Sequence, residues 1–320
     1  MNGFAGGFVR VRQRADWNWL GNSQVRHPLC AIVLVVAAAS LAPVGDLFAK
    51  LLSASYAAVV ICFGRYLAGG AIGLGLLLCA GRFHPPPLRK IPGHAFRALL
   101  AASSILCLIA ALKHAPLADV MAGFYLAPVF STVLSAVLLG ERLSATKTAG
   151  TGLALLGAVA ILDPSGAVSM GGGLAVLSGA LFALYLITAR GAGGGEDGAS
   201  AAVVQSLIAA ALVAPLVFSD PPAALSWTAI GLFALIGLIS ILCQGATLVA
   251  HRWADASTLA PFFYAALISS LGLGAFVLGE TPTITSLLGI LAIATGGVMV
   301  AMNGLRRPEA GVSPPVTQLT

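Results

Sequence analysis

Three ionisable side chains lie deep inside apolar stretches of the sequence, where a charge is costly unless it has a use or a partner. Asp46 and Lys50 occur in VGDLFAKLL, and Arg65 occurs in ICFGRYLAGG. Asp46 and Lys50 are four residues apart, so an ion pair within one helix is geometrically easy. Asp46 is therefore either a site of proton coupling or amine binding, or half of a structural pair whose lysine reaches the lipid headgroups.

Arg65 lies about ten residues into its apolar stretch, so the sequence predicts that it faces other helices and meets an acid or carbonyl groups. It could clamp an anionic substrate, or it could make a structural bond within or between halves of the chain. We assign Asp46, Lys50 and Arg65 to coupling or gating, with Asp46 as the coupling residue. On this hypothesis Asp46→Asn abolishes coupled transport while expression stays intact.

Two aromatic pairs, Phe124-Tyr125 and Phe263-Tyr264, recur 139 residues apart. A tyrosine offers a flat apolar face and a hydroxyl, which suits stacking on a planar ligand, although packing or anchoring at the membrane interface is the alternative. Pro261 bends the chain near the second pair and favours Tyr264 of the two tyrosines. The predicted substrate contacts are Tyr125, Phe263, Tyr264, Gln244 and Ser104. Gln244 could equally bond two helices together.

Several kinds of chemistry are missing from the sequence. The five cysteines lie in apolar stretches without CxxC spacing, which favours small packing residues over metal ligands or disulfides. GxxxxGK[ST], HExxH and GxSxG are absent. We therefore expect no metal, no cofactor and no enzyme. The basic residues form no continuous stripe, so no nucleic-acid partner is expected.

The composition defines the element that must position these residues, a membrane-spanning helix. Of 320 residues, 58% are hydrophobic and 9% are charged, too few charges for a soluble surface. The apolar runs are continuous rather than alternating, which excludes a transmembrane β-barrel. We predict an all-α polytopic membrane protein with ten helices, at approximately 29–52, 56–80, 96–113, 119–139, 146–162, 171–189, 200–218, 226–250, 257–279 and 284–303.

The distribution of Lys and Arg predicts the orientation. With the N-terminus inside, 14 of the 17 basic residues fall in cytoplasmic segments. We expect a multi-pass protein of the inner membrane with both termini in the cytoplasm. Residues 1–28 and 304–320 are the predicted cytoplasmic tails.

A shift of 139 residues aligns the two halves of the chain and places Gly140-Glu141 on Gly279-Glu280. The predicted repeats are 29–162 and 171–303, with five helices each. Because five is odd, the second copy enters the membrane from the opposite side, as in many secondary transporters. Glu141 and Glu280 then end equivalent helices, where fixing helix–loop packing is more plausible than touching substrate.

The segment LAPVFSTVLSAVLLGERLSATKTAGTGLALLGAVAIL, with Pro128 ahead of Gly-Glu-Arg and a glycine-rich helix, resembles the end of an EamA repeat of the drug/metabolite transporter superfamily. LAPFFYAALISSLGLGAFVLGETP repeats it, except that Leu267 stands where Pro128 would fall. The resemblance covers about 29–303. It implies ten helices and transport of small organic metabolites, and Asp46, Lys50 and the Pro-Phe-Phe-Tyr segment are similar to riboflavin and S-adenosylmethionine uptake members.

The sequence thus predicts a secondary active transporter that moves a vitamin, amino acid or nucleoside-like metabolite by alternating access, with ion or exchange coupling. A metabolite or drug exporter, an uncoupled facilitator or channel of the same fold, and a membrane-embedded enzyme are the alternatives. The expected partners are the lipid bilayer and a small substrate, and the expected assembly is a monomer or homodimer.

Overall fold

Helices account for the secondary structure of the described residues, as the continuous apolar runs predict. The computed structural model describes residues 28–139, 145–161, 169–190, 197–219, 221–222, 224–254 and 259–303. Its α-helices are α1 Pro28–Leu52, α2 Ala58–Cys79, α3 Ile91–Leu112, α4 Leu117–Phe124, α5 Ala127–Leu139, α6 Ala145–Ile161, α7 Met170–Arg190, α8 Gly198–Ser219, α9 Trp227–Trp253, α10 Ala265–Val277 and α11 Ile284–Asn303. Two 3-10 turns occupy Leu88–Lys90 and Ala260–Tyr264.

The apolar helices have the length that a bilayer requires. In the described residues, seven helical segments are long and apolar enough to cross a membrane, and three shorter apolar helices accompany them at Thr148–Ala160, Phe262–Val277 and Ile284–Val300. Large apolar side chains such as Phe276, Leu156 and Ile268 are exposed on the outside of the bundle. Such a surface needs lipid rather than water around it, so the chain is a polytopic membrane protein.

Two of the apolar segments are interrupted, and the interruptions fall at equivalent positions. α4 ends at Phe124, Tyr125 caps it and α5 begins at Ala127, while the second 3-10 turn ends at Tyr264 and α10 follows directly. These two tyrosines are 139 residues apart. Pro128 lies in the first turn of α5, where its carbonyl oxygen accepts hydrogen bonds from Ser131 and Thr132. Non-helical backbone inside a membrane occurs where protein or a cavity surrounds it.

The helices α6 and α11 cross at glycines that meet reciprocally. A Cβ added to Gly150 would lie 2.7 Å from the carbonyl oxygen of Gly296, and one added to Gly157 would lie 2.6 Å from that of Gly289. The order of these contacts makes the helices antiparallel. A shift of 139 converts Gly150 into Gly289 and Gly157 into Gly296, so each half contributes the same two residues.

The bundle has two ends of different character. We call the end with Lys50, Leu117 and Glu280 the Glu280 end, and the end where α8 begins and α9 stops the Gly198 end. The largest fully buried side chains gather towards the Glu280 end, among them Ile61, Leu108, Ile109, Leu112, Leu117, Met121 and Ile236. A cavity whose lining includes Gly198 and Leu248 lies towards the other end.

Candidate functional site

A cavity of about 500 Å³ lies among α1, α2, α3, α4, α7, α8, α9 and the second 3-10 turn. It extends from Arg65 in the middle of the bundle to Gly198 and Leu248 at the Gly198 end. Its volume is in the range of sites for small molecules. Among the described residues, those that close the Glu280 end do not line it.

An aromatic row forms one wall of the cavity. Phe124 and Phe182 have ring centroids 4.9 Å apart, and Phe182 stacks on Tyr185 at 5.3 Å with an angle of 21° between the ring planes. Tyr125 meets Phe124 edge to face at 5.5 Å. Tyr66 and Phe263 also line the cavity. Flat rings arranged in this way can hold a planar ligand by stacking.

Polar groups on the cavity wall can orient such a ligand. Gln205, Ser206, Ser240, Gln244 and Thr247 contribute amide and hydroxyl groups. The amide oxygen of Gln205 accepts a hydrogen bond from the Tyr185 hydroxyl at 3.4 Å. The wall is otherwise apolar, so these few groups would determine which ligand fits.

Arg65 lies at the closed end of the cavity and is bonded to Asp46. Its Nη1 donates to Oδ1 of Asp46 at 2.6 Å, and both side chains are largely buried. Arg65 thus meets the acid that its depth in the membrane predicts, and the bond joins α1 to α2 within one half of the chain.

Lys50 does not pair with Asp46, which corrects the interaction predicted from their spacing. Its Nζ forms an ion pair with Glu280 and donates to the carbonyl oxygen of Ala115 at 2.6 Å. The second carboxylate oxygen of Glu280 accepts from the backbone N–H of Leu117 at 2.8 Å. The i, i+4 spacing predicts a local contact, but Asp46 pairs with Arg65 of α2 and Lys50 pairs with Glu280, which follows α10.

These bonds place Glu280 in the packing between helix ends. They join α1, the connection from α3 to α4, and the segment after α10. Gly279 permits the turn, because its φ of 66° is in the left-handed region. Gly140 and Glu141, the equivalent pair, lie outside the described residues. Among the described residues, this ion pair and these two hydrogen bonds to backbone join three segments at the Glu280 end.

The structure divides the predicted substrate contacts into two groups. Tyr125, Gln244 and Phe263 line the cavity. Ser104 and Tyr264 do not: Ser104 exchanges 2.8 Å hydrogen bonds with Ser178 between α3 and α7. The Tyr264 hydroxyl is buried against Gly297 of α11. The geometry favours Tyr125 over Tyr264, the opposite of the preference based on Pro261.

Sequence reasoning missed Gln205, Phe182, Tyr185 and Asp119. The first three lie in long apolar stretches without a motif, and only helical periodicity combined with the fold places them on the cavity wall. Asp119 is the first residue of the predicted helix 119–139, and its place at the end of the segment gave no signal for a role. No group of three His, Cys, Asp or Glu side chains suited to a metal ion occurs in the described residues.

Proteins similar to this chain include a transporter and an exporter. The EamA-like transporter family matches residues 29–163 and again 169–302. The riboflavin transporter of Rhizobium johnstonii is 26% identical over 67% of this chain and 71% of its own length. The pseudopaline exporter CntI of Pseudomonas aeruginosa is 28% identical over 88% of this chain and 97% of its own length. These matches confirm the resemblance to EamA-type transporters.

A crystal structure gives an independent comparison of the fold. It superimposes with a TM-score of 0.62 and 22% sequence identity, and the match covers 87% of this chain and 99% of that one. At this identity the likeness concerns the fold alone.

Proposed function

The chain belongs to the EamA-like transporter family, and on that premise we propose that it carries a small organic molecule with a flat ring by alternating access. The observation that carries this proposal is the cavity of about 500 Å³, which has an aromatic wall and is closed at the Glu280 end. A transporter needs such a site, reachable from one side at a time.

The proposed substrate stacks on the row of Tyr125, Phe124, Phe182 and Tyr185. Gln205 and Gln244 supply donors and acceptors at the edge of the ring, and Arg65 limits the depth of the site. A nucleoside or a flavin vitamin has this combination of a flat face and polar edges. The riboflavin transporter of Rhizobium johnstonii supports testing flavins first.

The proposed architecture is ten spans in two inverted halves. The seven long and three shorter apolar helices provide ten segments, and the family matches each half of the chain once. The antiparallel crossing of α6 and α11 supports inversion, because repeats inserted in the same direction would bring these equivalent helices together in parallel. We keep 29–162 and 171–303 as the two repeats.

The proposed orientation places the Gly198 end in the cytoplasm. Arg82, Arg89 and Lys90 lie in the connection from α2 to α3, at the same end as Gly198, and this agrees with the bias of basic residues towards the inside. With this orientation in the inner membrane, the cavity opens to the cytoplasm and the Lys50–Glu280 pair closes the outer side.

A ligand screen followed by a flux assay tests the proposal. Thermal unfolding of the purified protein is measured with riboflavin, S-adenosylmethionine, nucleosides and amino acids, because a ligand of the folded state raises Tm by mass action. Each compound that raises Tm is then tested for counterflow in proteoliposomes. A Tm rise without counterflow would contradict transport, and a panel without any stabilising compound would contradict the proposed substrate class.

A matched pair of variants locates the site. Phe182→Ala removes a ring from the cavity wall, whereas Phe276→Ala removes one that is 92% exposed on the outside of the bundle. We expect the first to weaken binding about fivefold or more, because stacking of a nucleic-acid base on one aromatic ring contributes about 1–3 kcal/mol, and the second to leave it unchanged. Equal effects would place the ligand elsewhere.

Export is the second candidate function, because a relative that aligns over 97% of its length is a pseudopaline exporter. Import and export differ in the direction of accumulation in inside-out vesicles. Coupling is tested with a protonophore: a coupled transporter loses accumulation, whereas an uncoupled facilitator never exceeds equilibrium.

A further inference from the structure

Asp119 is a buried acid at the closed end of the molecule. It lies in the first turn of α4 and is 9% exposed. The Ser286 hydroxyl of α11 donates to its Oδ2 at 3.2 Å. Its Oδ1 is also buried and has no hydrogen-bond partner among the described residues. A buried carboxylate normally has several donors around it, whereas the described part of the chain gives Asp119 one.

Asp119 forms no ion pair within the described residues, where no Lys, Arg or His nitrogen lies within 4 Å of its carboxyl group. The charged groups that act on it are Glu280 and Lys50. Because these two pair with each other, their charges offset one another. The first turn of α4 supplies a partial positive charge only, which is less than a buried carboxylate requires.

The other helices packed against α4 do not change this balance. α10 and α11 have no titratable side chain, and those of α7 are Tyr185 and Arg190, in the half of the helix near the Gly198 end. In α6 the titratable residue is Lys147, near the helix start at that same end. On α1, Asp46 is bonded to Arg65. The titratable residues of α3 are His94 and Arg97, near its start at the Gly198 end, and Cys107. Lys113 and His114, which follow α3, are exposed.

We infer that Asp119 is a proton-binding site of the closed conformation: closing the Glu280 end takes up a proton on this carboxyl group, and opening it releases the proton to water. Opening separates α4 from Glu280 and Ser286, so Asp119 becomes hydrated and ionises. The protonated acid is neutral and fits the dry site. This inference rests on the proposed alternating access, and it makes the closure sensitive to pH on the outer side.

The linkage has a definite sign. Each proton taken up on closing makes the closed conformation more populated as pH falls. Once Asp119 is ionised in the open state and protonated in the closed state, each unit of rising pH shifts the ratio of open to closed molecules by about tenfold towards open.

Infrared spectroscopy of the purified protein tests protonation without a ligand. At neutral pH we expect a protonated-carboxyl band that Asp119→Asn removes and that Asp46→Asn, a change at the carboxyl group bonded to Arg65, retains. Ser286→Ala should shift the same band, since Ser286 is the hydrogen-bond donor to Asp119. Absence of the band in the natural protein, or its persistence unshifted in Asp119→Asn and Ser286→Ala, would overturn the inference.

Thiol labelling tests the linkage to closure. In a background without native cysteines, Ser53→Cys reports on the closed end, where Ser53 is 7% exposed beside Lys50, and Ser55→Cys is an exposed control in the same turn. Because the two thiols have different surroundings, the same pH series in Asp119→Asn is the reference for the effect of pH on thiol reactivity. We expect the ratio of the two labelling rates to rise more steeply with pH when Asp119 is present than in Asp119→Asn. The same pH dependence in the two proteins would overturn the inference. If the ratio depends on Asp119 but no counterflow is found, the result counts against the proposed function instead.

Discussion

At the scale of single residues, the ion pair between Arg65 and Asp46 changes what a substitution at Asp46 should do. Asp46→Asn leaves the guanidinium of Arg65 buried without a counterion, and breaking a buried pair from one side costs about 3–5 kcal/mol. We therefore expect a clear drop in Tm in detergent, in contrast to the intact expression expected from the sequence.

The double variant is the control for this prediction. Asp46→Asn combined with Arg65→Gln removes both charges, so it should recover most of the stability that either single variant loses. Additive losses in thermal unfolding would show that the two residues do not act as a pair.

Asp197 caps α8 and gives a pH-dependent prediction outside the membrane. Burial by itself raises the pKa of Asp197, but hydrogen bonds from the backbone N–H and hydroxyl of Ser200 outweigh it, so the pKa lies below its usual range. Asp197→Ala should cost about 1 kcal/mol at neutral pH. Because the pKa of Asp197 is lower in the folded state, its charge stabilises the fold fully above the pKa of the unfolded state. This stabilisation is lost as pH falls through the pKa of the folded state.

The measurement for Asp197 is the difference in Tm between the natural protein and Asp197→Ala across pH. The difference should shrink on acidification below the usual range of an aspartate. Asp197→Asn keeps an acceptor at the cap, so it should retain most of the neutral-pH stability. A difference that is constant in pH would contradict a role for the charge.

Residue type and position within the apolar segments predicted some residues of the candidate site. Which residues pair with each other could be seen only in the folded structure. The charges Asp46, Lys50 and Arg65 were identifiable because apolar segments rarely carry them. Which charge meets which depended on Glu280, which is 230 residues from Lys50 in sequence. Likewise, the sequence offered Tyr125 and Tyr264 as equivalents, and only packing shows that one faces the cavity and the other faces Gly297.

At the scale of helices, the crossing of α6 and α11 predicts opposite effects for two identical substitutions. Gly157 touches the backbone at Gly289, whereas a Cβ on Gly152 would meet nothing within 4 Å. Gly152→Ala should stabilise the helix by up to about 1 kcal/mol through its better propensity. Gly157→Ala gains the same propensity but forces the helices apart, which costs about 1–3 kcal/mol.

Thermal unfolding of the two alanine variants under the same conditions checks this prediction. Tm should rise or stay level for Gly152→Ala and fall for Gly157→Ala. The same shift in both variants would mean that the glycines affect stability through helix propensity and that the contact between α6 and α11 has no effect on it.

Hydropathy predicts the positions of the helices, because an apolar run long enough to cross a membrane forms few structures other than a helix. The interruptions at Tyr125 and Tyr264 were harder to predict. Pro261 gave a signal for the second, but Pro128 lies in the first turn of α5, where proline is well tolerated, and Leu267 replaces it in the other half. The interruption repeats although the proline does not, so tertiary packing contributes to it.

At the scale of the whole molecule, the open and closed ends predict one-sided access to Cys243. This cysteine lines the cavity, whereas Cys62 is fully buried between α2 and α3. In variants with a single native cysteine, a membrane-impermeant thiol reagent should label Cys243 in inside-out vesicles and spare it in intact cells. Cys62 should stay unlabelled in both. Labelling of Cys243 from outside would contradict the orientation or the closure.

The reciprocal glycine crossing has a consequence for the origin of such a chain. Each half provides the same two glycines to the contact, so one five-helix unit contains both surfaces of the joint. A copy inserted upside down beside an upright one would complete it without any further change, as subunits of a two-fold dimer do. Pairing of this kind does not require a covalent link between the halves, and gene fusion would then preserve an association that separate copies already form.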